Sequence, residues 1–215
     1  MIESLSTTQA NIRLELQDLL RPCDYNFIPP NLSDTCEWIW SHPVFSQWLP
    51  TIGIAGHGNF APRMMCIYGT KGCGKSVLAA SIVERLKIPD KVAALFSFWA
   101  SRESQRKLTD FLPTLLWHLL QYISDEDIQT IYTPLVRSLP FNQHSIGDAI
   151  KKTGILIELT ISCVLDAIDE SADDWSRCQG GSLEYVLELL QAVPDLHPVL
   201  LGREPAMQDA KTSTF

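Results

Sequence analysis

The chain has 215 residues, enough for one sizeable α/β domain or for one domain with a helical extension, and its content of 46% hydrophobic and 20% charged residues is typical of a soluble globular protein. Its formal net charge of −8 argues against a surface for nucleic acid or for anionic membranes. The six cysteines include no C-x-x-C pair, so neither a zinc site nor a disulfide framework is indicated, and we expect a cytoplasmic protein. The pattern of apolar residues predicts neither a signal peptide nor a membrane span.

The first thirty residues predict a helical leader followed by a linker. Apolar residues recur at helical spacing over residues 4–20, which favours an amphipathic helix. Pro22 and the Ile28-Pro29-Pro30 stretch are typical of a connecting segment. We therefore divide the chain into a leader, residues 1–30, and a core domain, residues 31–215.

An aromatic segment, Thr35–Pro50, carries Trp38, Trp40, Phe45 and Trp48. One interpretation is a helical cluster that packs against the core, because large aromatic side chains mostly serve burial. The other places the segment beside a nucleotide base, where an aromatic wall would hold adenine. Residues 51–62, which follow, are rich in turn-forming residues and predict a loop.

The central motif of the sequence is Gly69–Ser76, read as GTKGCGKS, which fits G-x-x-x-x-G-K-[ST] at every fixed position. The apolar run Met64–Tyr68 predicts a buried strand directly before it. Apolar residues at helical spacing over residues 77–86 predict a helix directly after it, with Pro89 beyond the helix end. Strand, glycine loop and helix in this order are the context that the motif requires.

The residue types of this loop suit the binding of a polyphosphate. Glycines let the backbone turn tightly and direct successive N–H groups at phosphate oxygens, and the N-terminus of the following helix adds positive charge. Lys75 would reach the β- and γ-phosphates, and the Ser76 hydroxyl would ligate Mg²⁺. The predicted ligand is a polyphosphate bound together with Mg²⁺. The predicted nucleotide-binding residues are Gly69, Thr70, Lys71, Gly72, Cys73, Gly74, Lys75 and Ser76.

The remaining predicted elements alternate between strand and helix, which is typical of a parallel α/β sheet. Further strands are predicted at Lys91–Trp99, Ile161–Ile168 and His197–Leu201. Further helices are predicted at Leu108–Ile123, Ser145–Thr160 and Ser182–Val193, with a helix pair broken at Pro134 over Asp125–Leu139. The predicted fold is a three-layer α/β P-loop domain with a mostly parallel sheet of about four strands.

Acidic residues follow the third predicted strand, in the order Asp166-Ala167-Ile168-Asp169-Glu170. A carboxylate at the end of a buried strand beside a phosphate loop can hold Mg²⁺, so Asp166 is predicted as a metal ligand together with Ser76. Asp169 or Glu170 would orient and deprotonate the attacking water. Taken alone, the same pattern also fits a strand-to-loop junction with helix-capping acids.

An arginine, Arg203, follows the fourth predicted strand. An arginine at that place in a P-loop sheet can sense a γ-phosphate, and an ordinary surface arginine is the equal alternative. The predicted catalytic residues are therefore Asp169, Glu170 and Arg203.

Five stretches occur in an order that carries a family resemblance. They are TCEWIWSHPVFSQWL, GTKGCGKS, FSFWASRESQRKLTDFLPTLLWHLL, VLDAIDE and VLLGREP. Over residues 30–205 the chain resembles NACHT-type NTPase domains, and more narrowly the nephrocystin-like N-terminal NACHT module of fungal-type STAND signalling proteins. The resemblance implies a Walker A motif at Gly69–Ser76, a Walker B motif at Asp166, Asp169 and Glu170, and a sensor arginine at Arg203.

The resemblance also implies a function and a limit to it. Members act as ATP/ADP switches whose nucleotide state controls the exposure of flanking effector and repeat domains, which are the expected protein partners. Gly202 stands where the sensor motif usually has Thr or Ser. The sequence predicts four strands where such domains have five, and it predicts no helical lid or winged-helix domain. Because phosphoryl-transfer catalysis depends on charges positioned in a dry site, we expect weak or no ATP hydrolysis.

Two other functions stay open on the sequence. The chain could be a non-enzymatic protein-interaction fragment with a vestigial phosphate loop. A small-molecule P-loop kinase is less favoured, because its lid would need clustered arginines and the arginines here are spread along the chain. A GTPase is disfavoured because no N-K-x-D stretch is present.

Overall fold

The computed structural model describes residues 2–23, 35–49, 64–87, 91–102, 107–171 and 182–203. The helices in these ranges are Ile2–Leu20 (α1), Trp38–Ser41 (α2), Pro43–Trp48 (α3), Lys75–Leu86 (α4), Leu108–Leu120 (α5), Asp125–Arg137 (α6), Gln143–Leu156 (α7) and Ser182–Ala192 (α8). The strands are Met65–Tyr68 (β1), Lys91–Ser97 (β2), Thr160–Asp166 (β3) and Leu196–Gly202 (β4), and a 3₁₀ turn, Ile168–Glu170, follows β3. The predicted linker at residues 24–30 and the predicted loop at residues 51–62 lie outside the described residues.

The described strands form one all-parallel sheet in the order β1-β4-β3-β2. The register aligns Tyr68 of β1 with Gly202 of β4, and Ser97 of β2 with Asp166 of β3. The parallel sheet predicted from the sequence is therefore confirmed. Because all four strands run the same way, the residues that follow them meet along one edge of the sheet.

Successive apolar residues of the strands point to opposite faces of the sheet, and each face packs against its own hydrophobic core. On one face of the sheet, Val164 and Val199 pack with residues of α2, α3 and α4. On the opposite face, Leu165 and Leu200 pack with residues of α1 and of α5 to α8. The predicted three-layer α/β fold is confirmed. Across the described ranges, every helix is too short or too polar to span a membrane.

The aromatic segment folds into α2 and α3 and contributes to the core on the α4 side of the sheet. Phe45 and Trp48 are fully buried, with ring centroids 5.4 Å apart. The Trp48 ring also lies edge-on to His197 of β4, at 6.3 Å. Arg85 of α4 places its guanidinium 4.3 Å from the centroid of the Trp40 ring. The packing interpretation is therefore confirmed for Phe45 and Trp48, whose burial leaves no surface for a nucleotide base.

Helix α1 is attached to the helical layer through its apolar face and one arginine. The buried residues of this face are Ile12, Leu16 and Leu20. The Arg13 guanidinium donates hydrogen bonds to the Leu120 carbonyl at 2.7 Å and to the Ile123 carbonyl at 3.0 Å. Leu120 is the last residue of α5, where carbonyls have no partner within the helix, and Ile123 lies in the connection to α6. The predicted amphipathic leader helix is confirmed.

The predicted break at Pro134 is wrong, because α6 continues through it as one helix. A proline inside a helix removes the hydrogen bond to the carbonyl four residues earlier, which here belongs to Thr130. That carbonyl instead accepts a hydrogen bond of 2.8 Å from Nζ of Lys152 on the neighbouring helix α7. A tertiary contact therefore replaces the helical one, and local sequence rules do not anticipate it.

Two predicted ends also differ from the structure. The helix predicted to reach Thr160 ends at Leu156, because Thr160 begins β3 and pairs with Lys91 of β2. The strand predicted to reach Ile168 ends two residues earlier, because Ala167 adopts a left-handed conformation with φ of 55°. This turn directs the acidic residues that follow back towards the sheet edge. The other predicted helices and strands are confirmed, with ends that differ by a few residues.

Candidate functional site

The residues after β1 and β3 and at the end of β4 meet at the N-terminus of α4 and surround an open cleft. The cleft is lined by Lys71, Gly72, Gly74, Lys75, Ser76, Val77, Asp166, Ala167, Asp169, Glu170 and Arg203. The structure therefore brings together the predicted phosphate loop, the predicted metal ligands and all three predicted catalytic residues. Within residues 35–49, the part of the aromatic segment that the structure describes, no residue lines the cleft.

The loop between β1 and α4 depends on three glycines. Gly72 and Gly74 have φ of 77° and 88°, a backbone region that side chains strongly disfavour. Gly74 directly precedes the first residue of α4, so the helix N-terminus opens beside the cleft. At Gly69 a Cβ would lie 2.7 Å from Sγ of Cys73, so a larger residue there would displace this thiol from its place beside Lys75. The loop conformation therefore follows from the glycine spacing of the motif.

Lys75 is held by the loop itself. Its Nζ donates hydrogen bonds to the Gly69 carbonyl at 2.9 Å and to the Thr70 carbonyl at 2.8 Å. Sγ of Cys73 lies 3.8 Å from the same nitrogen. Gly69, Thr70 and Cys73 do not line the cleft, although they belong to the predicted binding set. Their contacts instead hold the ammonium group at the loop.

Asp166 is the last residue of β3, and its side chain is almost fully buried, with 2% exposure. Its Oδ2 accepts a hydrogen bond of 2.9 Å from the Ser97 hydroxyl, while Oδ1 has no hydrogen-bond partner in the described part of the chain. Burial raises the pKa of Asp166. The Ser76 and Ser97 hydroxyls, the Ala167 N–H and the Lys75 charge all act in the opposite direction.

These side chains fit a magnesium ion that is shared with phosphates. Mg²⁺ prefers oxygen ligands and is usually held by one or two protein groups together with water and substrate phosphates. Asp166 offers an unpaired buried carboxylate oxygen, and Ser76 offers a hydroxyl at the start of α4. No group of three acidic, His or Cys side chains suited to a metal occurs among the described residues. The donor set therefore suits a metal that arrives with a polyphosphate.

Asp169 and Arg203 form an ion pair across the cleft wall. Nε of Arg203 lies 2.8 Å from Oδ2 of Asp169, and the Arg203 backbone N–H donates to Oδ1 at 3.0 Å. The pair uses Nε, which leaves the two terminal guanidinium nitrogens for another partner. Both carboxylate oxygens of Asp169 are engaged, so Glu170 is the cleft acid that has more freedom to act on a water molecule.

Gly202, which replaces the hydroxyl residue expected from the resemblance, has a packing role. A Cβ at this position would lie 3.3 Å from Oδ1 of Asp169 and 3.3 Å from Cγ1 of Ile168. These contacts are tighter than most Cβ contacts in proteins. The glycine therefore lets the 3₁₀ turn approach the end of β4 closely enough for the Asp169–Arg203 pair to form.

Sequence reasoning did not identify Ser97, which contacts Asp166 directly. A signal was available, because Ser97 is a polar residue near the end of a predicted buried strand. Its importance depends on the register between β2 and β3, which places the two residues side by side. Motif analysis does not supply that register.

Comparison with known proteins identifies a matching family. A family model described as Nephrocystin 3, N-terminal matches residues 34–199, which include the loop, the cleft acids and most of β4. Neither a curated protein nor a solved structure matches the chain. Because the match covers most of its length, the chain belongs to the nephrocystin 3 N-terminal family.

Proposed function

We propose that the chain binds ATP or ADP with Mg²⁺ in this cleft and acts as a nucleotide-dependent switch of the NACHT type. One observation carries the proposal: a buried carboxylate with an unpaired oxygen ends β3 in the same cleft as Lys75 and Ser76. Burying a carboxylate is costly unless a partner compensates for it. A magnesium ion bound to phosphates would be such a partner, and the glycine loop beside Asp166 supplies the donors for those phosphates.

Each described group has a role in this proposal. The backbone N–H groups of the loop and the N-terminus of α4 would bind phosphate oxygens. Lys75 would exchange its two loop carbonyls for phosphate oxygens, because hydrogen bonds between charged partners are stronger than those to neutral carbonyls. Ser76 and Asp166 would hold Mg²⁺, which would supply positive charge that neutralises the phosphates.

The proposal extends to the terminal phosphate. Arg203, oriented by Asp169, would direct its terminal guanidinium nitrogens at the γ-phosphate and so distinguish ATP from ADP. Glu170 would orient and deprotonate the water that attacks this phosphate. We expect hydrolysis to be slow or undetectable in the isolated chain, because the cleft is open and catalysis of this kind requires exclusion of water.

The switch would act on protein partners in the cytoplasm, either fused effector and repeat domains or separate chains. A reducing compartment is proposed on the cysteine pattern of the sequence, which includes no C-x-x-C pair.

Equilibrium titration of a fluorescent ATP analogue, with Mg²⁺ present, tests the proposal. Wild type should bind saturably, and Lys75→Ala should weaken binding about 10- to 100-fold, the range expected for losing hydrogen bonds from a charged donor. Lys151→Ala is the matched control. Lys151 lies on α7, its ammonium is 3.9 Å from Asp148, and α7 contributes no residue to the cleft.

Three results would bear on the alternatives. Equally poor binding by wild type and Lys75→Ala would contradict the switch and favour a protein-interaction fragment with a vestigial loop. Equal losses in Lys75→Ala and Lys151→Ala would indicate a general electrostatic effect and would also contradict the proposed site. Transfer of phosphate from ATP to a small molecule would favour the kinase alternative.

A further inference from the structure

The strand register places one hydroxyl beside the proposed metal ligand. Ser97 ends β2 and Asp166 ends β3, and the two residues are direct partners across the parallel pair. Side chains of paired residues project from the same face of a sheet, here the face that packs against α4. The Ser97 hydroxyl donates to Oδ2 of Asp166 at 2.9 Å, so the two side chains meet at the carboxyl edge of the sheet.

Because of this hydrogen bond, the two carboxylate oxygens of Asp166 have different surroundings. Oδ2 is occupied by Ser97, and Oδ1 has no partner among the described residues. A carboxylate is planar, so fixing one oxygen restricts the rotation of the group and thereby the position of the other oxygen. Partners that orient metal ligands in this way commonly change metal affinity 10- to 100-fold when they are removed.

We propose that Ser97 is a positioning residue that orients Asp166 for magnesium in the nucleotide complex. The inference rests on the proposed function, since it assigns a role within the same site. Ser97 does not line the cleft, so it acts through Asp166 and not by contacting the nucleotide. Its removal should therefore change the dependence of nucleotide binding on Mg²⁺ and leave metal-independent binding intact.

A second buried serine provides a matched control. Ser162 lies on β3 on the same face of the sheet, is fully buried, and its hydroxyl has no hydrogen-bond partner in the described ranges. Ser162→Ala removes the same atom from a neighbouring part of the sheet without touching Asp166. Ser97→Thr retains the hydroxyl and suits a strand, so it tests rescue by a conservative change.

The experiment measures binding of a fluorescent ADP analogue across a Mg²⁺ titration and in EDTA. Mg²⁺ is expected to enhance binding of the analogue, and Ser97→Ala should raise the Mg²⁺ concentration that gives half of this enhancement about 10-fold. The affinity for the analogue in EDTA should stay unchanged. Ser97→Thr should restore most of this loss, and Ser162→Ala should match wild type. Thermal unfolding in EDTA establishes whether each variant is folded. If Ser97→Ala does not fold, Ser97→Cys replaces it, because a thiol is similar in size to the hydroxyl and a weaker hydrogen-bond donor.

Each failure has a distinct meaning. An unchanged Mg²⁺ titration for Ser97→Ala would overturn the inference and leave the proposed function intact. An equal loss of affinity in EDTA, or a Ser97→Thr variant as weak as Ser97→Ala, would assign Ser97 a merely structural role and would also overturn it. Wild type that binds no nucleotide with or without Mg²⁺ would contradict the proposed function itself and the inference with it.

Discussion

Asp166→Asn should abolish the Mg²⁺-dependent part of nucleotide binding and also make the metal-free protein more stable at neutral pH. The amide retains an oxygen that can accept from Ser97, but it offers Mg²⁺ no charge. Removing a residue that hydrogen-bonds a metal ligand commonly lowers metal affinity 10- to 100-fold. Loss of the ligand itself should therefore lower the apparent Mg²⁺ affinity by at least about 100-fold. Titration of a fluorescent nucleotide with Mg²⁺ measures this loss.

The expected gain in stability follows from the direction of the pKa shift. Burial raises the pKa of Asp166 in the folded state above the value it has when unfolded. The folded state therefore binds the proton more tightly, and the free energy of unfolding falls as pH rises from the ordinary aspartate pKa through the raised one. Above that window the full penalty is present. Asn has no such penalty, so the advantage of the variant should be largest at neutral pH and should shrink as pH falls below the ordinary aspartate pKa.

Urea unfolding in EDTA across a pH series measures this advantage, with Glu170→Gln as a matched carboxylate-to-amide control in the same cleft. Glu170 is partly exposed, so its substitution should change the free energy of unfolding little. An Asp166→Asn variant that is less stable than wild type at every pH, or that keeps the full Mg²⁺ enhancement, would contradict the role given to this carboxylate.

Trp48→Ala should destabilise the protein by about 3–5 kcal/mol, the usual cost of removing a buried aromatic side chain. Trp48 is fully buried between Phe45 and the α4 face of the sheet, so its removal leaves a large cavity. Globular domains are stable by only about 5–15 kcal/mol, so the loss is a large share of the total. Chemical denaturation of the metal-free chain measures the effect.

Trp38→Ala is the matched control, because the Trp38 side chain is 57% exposed on the adjacent helix α2. A surface substitution of this kind should change stability by no more than about 0.5 kcal/mol. If Trp48→Ala instead weakened nucleotide binding without affecting stability, the assignment of this residue to the core would be wrong. The adenine-binding interpretation of the aromatic segment would then regain support.

The sequence predicts the positions of the glycine loop and of the acids after β3 well, because their residue types recur at fixed spacings next to strands and helices that are themselves easy to recognise. Gly74 can be recognised without coordinates, since few residues other than glycine tolerate its backbone conformation. Contacts between distant segments are less accessible. The pairing of Asp169 with Arg203 depends on how closely the 3₁₀ turn approaches β4. In the sequence, the only sign of this approach is Gly202, which stands where the resemblance predicts a hydroxyl residue.

Ser97 and Pro134 show two consequences of contacts between distant segments: a residue next to the site that the sequence does not reveal, and a predicted helix break that does not occur. Ser97 looks unremarkable in a list of strand residues and gains significance only from strand register. Pro134 predicts a helix break by local rules, yet Lys152 of another helix supplies the donor that the Thr130 carbonyl would otherwise lack. In both cases the deciding partner lies far away along the chain, where patterns of local spacing carry no information.

In the proposed site, the two hydrogen bonds that Lys75 donates to its own loop would add a free-energy cost to the binding of an anion. A ligand has to release the ammonium group before it can use it, so part of its interaction energy is consumed in reopening the loop. A diphosphate or triphosphate can offset that cost with several converging oxygens. A nucleoside monophosphate or free inorganic phosphate would have fewer such oxygens, so the proposed site would favour longer phosphate chains independently of the base and the sugar.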